Sequence, residues 1–364
     1  MDRALSEWLV GGDSGVTQSE GAALRTLKLP YTIYGCMLLL SSSVFEGPRW
    51  LEEAYDRPPE DFEKLYRLIT KYLKVTHIAI NKPIPAREED GGSHNVLRAP
   101  INLNPLYGDF GPTTCSSPPC QQDFDSAFWV AAKQNGIVQS WAPRWTMFSR
   151  GNISEKARLI SLPSVERAVE DGKASGSGCT AVDLYAGIGY FAFSYMKAGF
   201  SKVLCWDLNP WSLEGLRRGA AANKWTTTTP HSPCSQLKYL PQFDIYIFNE
   251  SNENATKRMQ DIRHKFPPIR HVNCGLLPTS RGSWQTAVDI LDTDLGGWIH
   301  VHENFALQEI DRKVEDLHGL IQDIATKTRE ATNIEIEHVS RLKSYAPGVM
   351  HCVVDIYIPP RELG

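Results

Sequence analysis

Apolar residues change their spacing near residue 180, and the change marks the region whose fold can be predicted most directly. From there onward, short apolar runs typical of buried strands alternate with segments whose apolar side chains recur at helical spacing. Such alternation predicts a parallel sheet covered by helices. The predicted strands are Thr180–Tyr185, Lys202–Leu208, Phe243–Phe248, His271–Leu276 and Trp298–His302, and the helices are Tyr190–Ala198, Trp211–Asn223, Asn254–Lys265 and Ser283–Leu291.

The end of the chain departs from this alternation. A long helix is predicted from about Gln308 to Thr328, because its apolar residues share one face. Two β-rich stretches follow, Ile334–Leu342 and Met350–Ile358, and without a helix between them they must pair antiparallel. This α/β pattern is that of the class I S-adenosylmethionine-dependent transferases, a Rossmann-like fold with a mostly parallel seven-stranded sheet and a terminal antiparallel hairpin.

The first 140 residues have a mixed pattern. It predicts strands over Cys36–Val44 and Thr76–Ile80 and helices over Asp61–Leu73 and Asp123–Gln134. Loops are predicted over residues 111–122, 171–178 and 226–236, which are rich in Pro, Ser, Thr or Gly. We therefore expect an α+β extension at 1–140 that reads the substrate, and a catalytic domain at 141–364 that begins with a basic linker, 141–179.

Composition narrows the class of protein. With 364 residues, 42% of them hydrophobic and 22% charged, the chain is neither wholly disordered nor a coiled coil or collagen-like fibre. A net charge of −4 argues against binding nucleic acid by bulk charge but permits a local basic surface. The eight cysteines form no CxxC pair, and no membrane or export signal is recognisable. We expect a cytoplasmic monomer with reduced thiols, bound to neither metal nor membrane.

A glycine turn follows the first strand of the alternating region. Val182–Phe191 runs from a strand through Ala-Gly-Ile-Gly into a helix, so that the backbone at Gly187 can approach a ligand closely. An ordinary turn after a buried strand is the alternative. Asp183 before the turn, and Ala192 where dinucleotide-binding turns carry a third glycine, favour S-adenosylmethionine over a dinucleotide.

Polar residues also close the next two strands. Asp207, at the end of the second, can accept hydrogen bonds from both hydroxyls of a ribose, while Asn209-Pro210 predicts a helix cap. Glu250 and its neighbours, at the end of the third, could bind an adenine amino group or form a solvated loop. The sequence leaves these two interpretations of Glu250 open.

Two further motifs predict the side that faces the substrate. The segment Val272–Ser280 ends the fourth strand, where ligands bind in open α/β sheets, and its Asn273 and Pro278 are candidates for positioning a base. His300–Asn304 suggests a metal site at first, but alternate strand residues share a face and no third ligand is visible. We therefore expect His302 to form a polar wall near the substrate and not to bind a metal.

Basic residues cluster in two segments. The first lies upstream of the sheet and can meet a carboxylate, a phosphate or RNA; it contains Arg144, Arg150, Lys156 and Arg158. The second follows the third strand and contains Lys257, Arg258, Arg263, Lys265 and Arg270. The expected RNA-binding residues are Arg144, Arg150, Arg158, Lys257 and Arg258.

At these motifs, and over most of the chain from about residue 76, the sequence resembles the tRNA wybutosine-synthesizing protein 2 family, relatives of the tRNA guanine-N1 methyltransferases. GLLPTS separates this branch from the methyltransferases. Asp207 stands where the family commonly has Glu, and Cys274 where it commonly has Leu. The motifs that carry the resemblance are Phe148–Asn152 with Glu155-Lys156, DLYAGIGYF, Asp207–Pro210, VNCGLLPTS, WIHVHENF and Lys343–Pro347.

The resemblance implies a reaction and its partners. The 3-amino-3-carboxypropyl group of S-adenosylmethionine, a co-substrate, would be transferred to 4-demethylwyosine beside the anticodon of tRNA-Phe. With Asp183 and Gly187 of the glycine turn, the implied ligand contacts are Ser149, Lys156, Asp207, Glu250 and Ser251. Two alternatives remain at this point: a tRNA guanine-N1 methyltransferase, and a non-catalytic tRNA-binding module with a vestigial ligand pocket.

Overall fold

The computed structural model describes residues 1–10, 29–42, 44, 57–80, 100, 103–230, 242–330 and 333–361. The chain divides into two compact units, Met1–Ala132 with Ser140–Phe148, and Lys133–Gln139 with Ser149–Gly364. Residues 140–148 therefore belong to the first unit, whereas the predicted boundary followed residue 140. Most of residues 1–30 and of the predicted loop at 226–236 lies outside the described residues.

The first unit is built on a four-stranded sheet in the order β1-β2-β3-β4. Its strands are β1 (Tyr31–Tyr34), β2 (Met37–Leu40), β3 (His77–Ile80) and β4 (Asn104–Tyr107), and the helices described up to residue 80 are α1 (Asp2–Val10) and α2 (Pro59–Leu73). Helix α2 has an acidic first turn and ends at Lys74 in the left-handed region. Its fully buried Leu65 and Ile69 pack with Leu38 and Ile78 of the sheet. This is the predicted α+β extension.

The predicted helix at Asp123–Gln134 is wrong in its second half. Helix α3 (Gln121–Ser126) ends early, and β5 (Val130–Gln134) pairs with β6 (Ile137–Trp141) in a two-stranded sheet. The reason is the turn between them, because Asn135 and Gly136 both have positive φ, 52° and 76°. An Asn-Gly pair with this geometry is the preferred two-residue hairpin turn.

The second unit contains an eight-stranded sheet in the order β13-β14-β12-β11-β7-β8-β10-β9. Strand β14 pairs antiparallel with β12 and β13, and the other pairings are parallel. The class I transferase fold is thereby confirmed. The strands are β7 (Thr180–Asp183), β8 (Lys202–Trp206), β9 (Thr227–Thr228), β10 (Ile245–Phe248), β11 (Ile269–Cys274), β12 (Gly297–Ala306), β13 (Glu335–Ala346) and β14 (Val349–Ile358).

The sheet has one strand more than the predicted seven. The two residues of β9 lie at the start of the predicted loop 226–236 and pair with Ile245 and Tyr246 of β10. So short a strand has no detectable period in the sequence, which is why the prediction missed it.

Helices cover both faces of this sheet, and two of them replace the predicted linker. Helices α4 (Ile153–Ile160) and α5 (Pro163–Ser175) occupy most of residues 141–179, so the predicted loop at 171–178 is largely helical. Helix α5 ends at Gly176 with φ of 72°, and a Cβ on Gly172 would lie 2.6 Å from the backbone of Gly178. The remaining helices are α6 (Ala192–Ala198), α7 (Pro210–Ala222), α8 (Ala255–Ile262), α9 (Trp284–Ile290) and α10 (Ile310–Arg329).

The apolar core of the second unit has two parts. One contains Trp206 and Phe248 with helices α8, α9 and α10, and the other contains Phe193 and Trp298 with α4 to α7. Each large side chain contributes about 1.5–3 kcal/mol when fully buried, so the two parts fix the strand ends that carry the site. Among the described residues, no helix combines the length and apolarity needed to cross a membrane.

Candidate functional site

The site is built at the carboxyl ends of β7, β8, β10 and β11. Because parallel strands end at the same edge of a sheet, the polar residues that follow them come together there. The glycine turn Ala186–Gly189 lies directly after β7. Gly187 and Gly189 have φ of 52° and 87°, conformations that other residues rarely adopt.

Asp207 holds this turn from the end of β8. Its Oδ2 accepts a hydrogen bond from Gly187 N at 2.8 Å, and its Oδ1 accepts one from Asn209 N at 2.8 Å. Burial raises its pKa, which the backbone hydrogen bonds oppose. Each carboxylate oxygen can accept a further hydrogen bond, so Asp207 can still bind two hydroxyls. Asn209 caps α7 as predicted, since its side chain accepts a bond from Trp211 N.

Asp183 precedes the same turn and is completely buried. Its Oδ1 accepts hydrogen bonds from Asn273 Nδ2 at 3.1 Å and Tyr185 N at 3.3 Å. Among the described residues, nothing donates to its Oδ2. Burial raises its pKa to about 6, and the nearby charge of Asp207 acts in the same direction. A cationic ligand group at Oδ2 would remove the cost of this unsatisfied oxygen.

Ser149 and Lys156 approach the turn through Tyr190. The backbone N–H of Ser149 donates to Tyr190 Oη at 3.0 Å, and the Lys156 ammonium lies 5.6 Å from the centre of the Tyr190 ring. Lys156 Nζ also donates to Gln134 Oε1 at 2.6 Å and Gln139 Oε1 at 2.8 Å. Burial lowers its pKa to about 8, so an anionic group placed beside Nζ would stabilise the ammonium form.

The end of β10 adds Glu250 and Ser251 next to Asp207. Glu250 accepts hydrogen bonds from Trp206 Nε1 at 3.3 Å and from the guanidinium of Arg258 at 2.8 Å and 2.9 Å. The Ser251 hydroxyl accepts a bond from Glu253 N and caps the next turn. Their contact with a ligand stays a prediction.

Two asparagines of this segment, which belong to the motif predicted to bind adenine or form a solvated loop, join the strand ends. Asn249 Nδ2 donates to the carbonyls of Asp207 and Leu208 at 3.1 Å each. Asn252 Nδ2 donates to the carbonyl of Leu184 at 2.8 Å. A run of three asparagines within Phe248–Asn254 was the available signal, because amides cross-link loops by this kind of bond.

The predicted RNA-binding cations are used differently from one another. Arg158 is the clear exception to the prediction: it pairs with Asp355 at 2.6 Å and Glu155 at 2.5 Å, and its side chain is 21% exposed. Arg258 pairs with Glu250, while Arg150 and Lys257 are exposed and Arg144 belongs to the first unit. From the wider cluster, Arg263 and Arg270 donate to backbone carbonyls.

The candidates on the substrate side lie at the ends of β11 and β12. Asn273 is buried and engaged by Asp183, whereas the carbonyl of Pro278 accepts a hydrogen bond from Asn304 N at 3.0 Å. His302 is buried, hydrogen-bonded to His351 at 3.0 Å, and its ring centre lies 4.9 Å from that of Phe191. Their part in positioning a base stays a prediction.

A buried chain of side chains, here called the histidine relay, runs beneath this edge. His300 Nδ1 lies 2.7 Å from Asp355 Oδ1, His300 Nε2 lies 2.8 Å from His271 Nδ1, and His271 Nε2 lies 3.1 Å from the carbonyl oxygen of Ser164. Arg158 extends the relay at Asp355. Within the described ranges, no group of three or more His, Cys, Asp or Glu side chains is placed to hold a metal.

Comparison with known proteins gives consistent relatives. No family model matches the chain. The chain is 38% identical over 328 residues to tRNA wybutosine-synthesizing protein 2 of Schizosaccharomyces pombe, covering 90% of this chain and 72% of that protein. It is 31% identical over 377 residues to the protein of the same name from Saccharomyces cerevisiae, covering 92% of this chain and 74% of that protein.

A solved structure has the same fold. P. horikoshii TYW2, determined in complex with MeSAdo, superimposes with a TM-score of 0.62 at 18% sequence identity, covering 99% of each chain. At this identity the likeness is one of fold.

Proposed function

The chain belongs to the tRNA wybutosine-synthesizing protein 2 family, and we propose that it transfers the 3-amino-3-carboxypropyl group of S-adenosylmethionine to 4-demethylwyosine next to the anticodon of tRNA-Phe. It is an S-adenosylmethionine-dependent transferase that acts in tRNA modification. The proposed substrate is the one on which the family acts. The site residues described above are this chain's own support for the proposal.

The observation that carries the proposal is the convergence of three ionisable side chains on one glycine turn. Asp207 is bonded to Gly187, Asp183 precedes the turn with an unsatisfied oxygen, and Lys156 lies against the Tyr190 ring at its end. S-adenosylmethionine is a nucleoside joined to an amino acid, and it has a group to match each of these side chains. Its ribose hydroxyls match Asp207, its ammonium matches Asp183 and its carboxylate matches Lys156.

The chemistry of the co-substrate is a sulfonium that activates each of its three neighbouring carbons. The residues of the site decide which carbon faces the base, so the protein works mainly by positioning. Asp183 and Lys156 hold the two ends of the aminocarboxypropyl group, and Asp207 fixes the ribose. We propose that the target base stacks beside Asn273–Pro278, as unpaired RNA bases commonly do on proteins.

The test is the fate of the label. Incubation with carboxyl-labelled S-adenosylmethionine and tRNA-Phe carrying the precursor base is expected to label the tRNA and to release methylthioadenosine. A methyl-labelled co-substrate is expected to leave the tRNA unlabelled. Methyl addition alone, with S-adenosylhomocysteine as product, would identify a tRNA guanine-N1 methyltransferase instead. Ligand binding without any turnover would identify a tRNA-binding module.

We also propose the setting in which the enzyme acts. It binds tRNA-Phe as a monomer in the cytoplasm, the first unit reads the tRNA, and Arg144, Arg150 and Lys257 contact its phosphates. Light scattering of the purified protein with and without tRNA tests the monomer, and fractionation of cells tests the location. Crosslinking of bound tRNA to residues 1–132 or 140–148 tests the role of the first unit.

A further inference from the structure

His302 lies where the co-substrate site meets the segment expected to bind the target base. Asn273 of β11 is paired with His300 of β12. Two positions further along the chain, Gly275 and His302 follow on the same face of the sheet. Phe191, two residues after the glycine turn, lies against both: its ring centre is 4.9 Å from that of His302, and a Cβ on Gly275 would lie 3.8 Å from its ring. Because Gly275 has no side chain, a flat ligand can lie against the backbone beside His302.

His302 has one ring nitrogen engaged and the other available. Its Nδ1 lies 3.0 Å from Nε2 of His351. Its Nε2 forms no hydrogen bond with any described residue and, unlike Nδ1 of His351, is not sealed from solvent. Nε2 is therefore the polar atom that His302 offers to a ligand beside Gly275.

Both imidazoles of this pair are neutral near pH 7. Burial lowers the pKa of His302 well below its ordinary value, and the nearby His351 and His300 act in the same direction. Burial also lowers the pKa of His351 to about 4. Two neutral imidazoles share a single hydrogen in the contact between them, so one ring is the donor and the other the acceptor. The same choice decides which nitrogens outside the contact carry a hydrogen.

The charge of Lys343 decides which ring donates. Lys343 lies directly opposite His351 in the pairing of β13 with β14, and its ammonium lies beside Gly151, just before α4. Besides burial, this positive charge lowers the pKa of His351. A nearby cation favours a lone pair over an N–H on Nδ1 of His351, and buried N–H groups without an acceptor are rare. Nδ1 of His351 therefore carries no hydrogen, and Nε2–H of His351 donates to Nδ1 of His302.

His302 consequently carries its one hydrogen on Nε2. A neutral imidazole that accepts at Nδ1 is a donor at Nε2. The matching groups on a nucleobase are a carbonyl oxygen and an unprotonated ring nitrogen. Unpaired RNA bases are commonly held by stacking together with hydrogen bonds to their edges. A base stacked beside Asn273–Pro278 can thus be held at its edge by His302.

We propose that His302 donates a hydrogen bond from Nε2 to a carbonyl oxygen or unprotonated ring nitrogen of the target base, and that His351 and the charge of Lys343 fix the hydrogen on that nitrogen. His302 then binds the base, while His351 is a positioning residue that acts through it. The inference rests on the proposed function for the identity of the base. It gives His302 no part in removing a proton from the base, because a nitrogen that already carries a hydrogen cannot accept one.

The first experiment separates a donor from a proton acceptor by two substitutions in the full chain. His302→Gln keeps an N–H donor near the position of Nε2 but cannot take up a proton, whereas His302→Phe keeps an aromatic ring without a donor. With precursor tRNA-Phe, kcat/KM is expected to stay within about threefold of the wild type in His302→Gln and to fall about tenfold in His302→Phe. The Kd for S-adenosylmethionine is expected to be unchanged in both. His338→Gln, exposed on β13, is the matched control and is expected to behave as the wild type.

Two results of this experiment would overturn the proposal. Equal losses in His302→Gln and His302→Phe, in folded variants that bind S-adenosylmethionine normally, would identify His302 as a proton acceptor. An unchanged kcat/KM in His302→Phe would remove His302 from the base site. The ratio between variants is measured whichever group is transferred, so a failure of aminocarboxypropyl transfer is seen separately, in the product.

The second experiment determines the tautomer without RNA or turnover. Nitrogen NMR of the full chain with labelled histidine, assigned with His302→Gln and His351→Gln, is expected to show hydrogen on Nε2 and none on Nδ1 in both rings between about pH 6 and 8. Hydrogen on Nδ1 of His302 with a bare Nε2 would overturn the donor. In Lys343→Met the second tautomer is expected to appear, because the charge that favours the lone pair is gone. An unchanged spectrum would refute the part assigned to that charge.

Discussion

Asn273 Nδ2 donates a hydrogen bond to Asp183 Oδ1 across the adjacent strands β11 and β7, at 3.1 Å. The bond occupies the side chain that sequence reasoning assigned to the substrate base. It also fixes which oxygen of Asp183 remains without a partner in the described part of the chain, namely Oδ2. The two strands thus leave one carboxylate oxygen for the cationic ligand group that we propose for this position.

If Asp183 binds the ammonium of S-adenosylmethionine as proposed, the affinity for this ligand should fall at acidic pH. Its folded pKa is raised to about 6, and binding of an ammonium requires the ionised form, so binding releases a proton below that pH. We expect affinity to fall about twofold from pH 7 to pH 6 and to approach a fall of about tenfold per unit below pH 6. Calorimetric titration at pH 5 to 7 measures it.

Two controls test whether Asp183 causes the fall in affinity at acidic pH, one with a different ligand and one with a variant. Methylthioadenosine has no ammonium, so its affinity is expected to stay constant over the same range. Asp183→Asn is expected to weaken S-adenosylmethionine about tenfold and to abolish the acid limb. An acid limb that persists in Asp183→Asn would assign the titration to another group.

If Lys156 binds the carboxylate of S-adenosylmethionine as proposed, the affinity for this ligand should also fall at basic pH. Burial lowers its pKa to about 8, and the ammonium is the form that holds a carboxylate, so the complex takes up a proton above that pH. Affinity for S-adenosylmethionine is expected to be highest between about pH 6 and pH 8 and to fall up to tenfold per unit above pH 8.

Lys156→Arg is the matched control because a guanidinium does not titrate in this range. Any basic limb left in Lys156→Arg belongs to the ligand's own amino group. Lys156→Met is expected to weaken S-adenosylmethionine at every pH while leaving methylthioadenosine unchanged. Equal weakening of both ligands would contradict a contact with the carboxylate.

Arg158 is expected to act on stability and not on tRNA affinity. Arg158→Ala leaves Glu155 and Asp355 buried without their shared cation, which costs about 3 kcal/mol of unfolding free energy. Arg361→Ala removes an exposed pair with Glu330 and is expected to cost less than about 1 kcal/mol. Urea unfolding of both variants measures the difference, and an equal effect would refute the buried role.

Arg150 and Lys257 are expected to show the opposite behaviour. Both are exposed, so Arg150→Ala and Lys257→Ala leave the unfolding free energy nearly unchanged. Each lost phosphate contact lowers the slope of log Kd against log salt by about 0.7–0.9. Filter binding from 50 to about 200 mM salt measures the slope. A slope equal to that of the wild type would remove the residue from the tRNA surface.

Local signals gave the alternating strands and the glycine turn. Asp207 follows the strand that ends beside Gly187, so its neighbourhood could be read from the order of elements alone. The turn at Asn135-Gly136 was also visible as a local sequence signal. The prediction of a helix over Asp123–Gln134 nevertheless followed the apparent helical spacing of the residues before it. As a result, strand β5 was predicted as the second half of a helix.

Contacts between residues far apart in the chain could not be predicted from the sequence. Arg158 and Asp355 are 197 positions apart, and nothing near either residue announces the other. The arginine therefore looked like a free surface charge until the fold brought β14 to helix α4. The sequence also did not indicate that the side-chain amide of Asn304 lacks hydrogen-bond partners among the described residues. Whether a buried polar group has a partner depends on its surroundings in the fold and not on its residue type.

The number of hydrogens in the histidine relay decides how many of its contacts are hydrogen bonds. Three contacts run from Asp355 through His300 and His271 to the carbonyl oxygen of Ser164, and each needs one hydrogen. Two neutral imidazoles carry one N–H each, and the carboxylate and the carbonyl carry none. With both imidazoles neutral, one of the three contacts would bring two lone pairs together. With one of them an imidazolium, the relay holds three hydrogens, and all three contacts are hydrogen bonds at the heavy-atom positions observed.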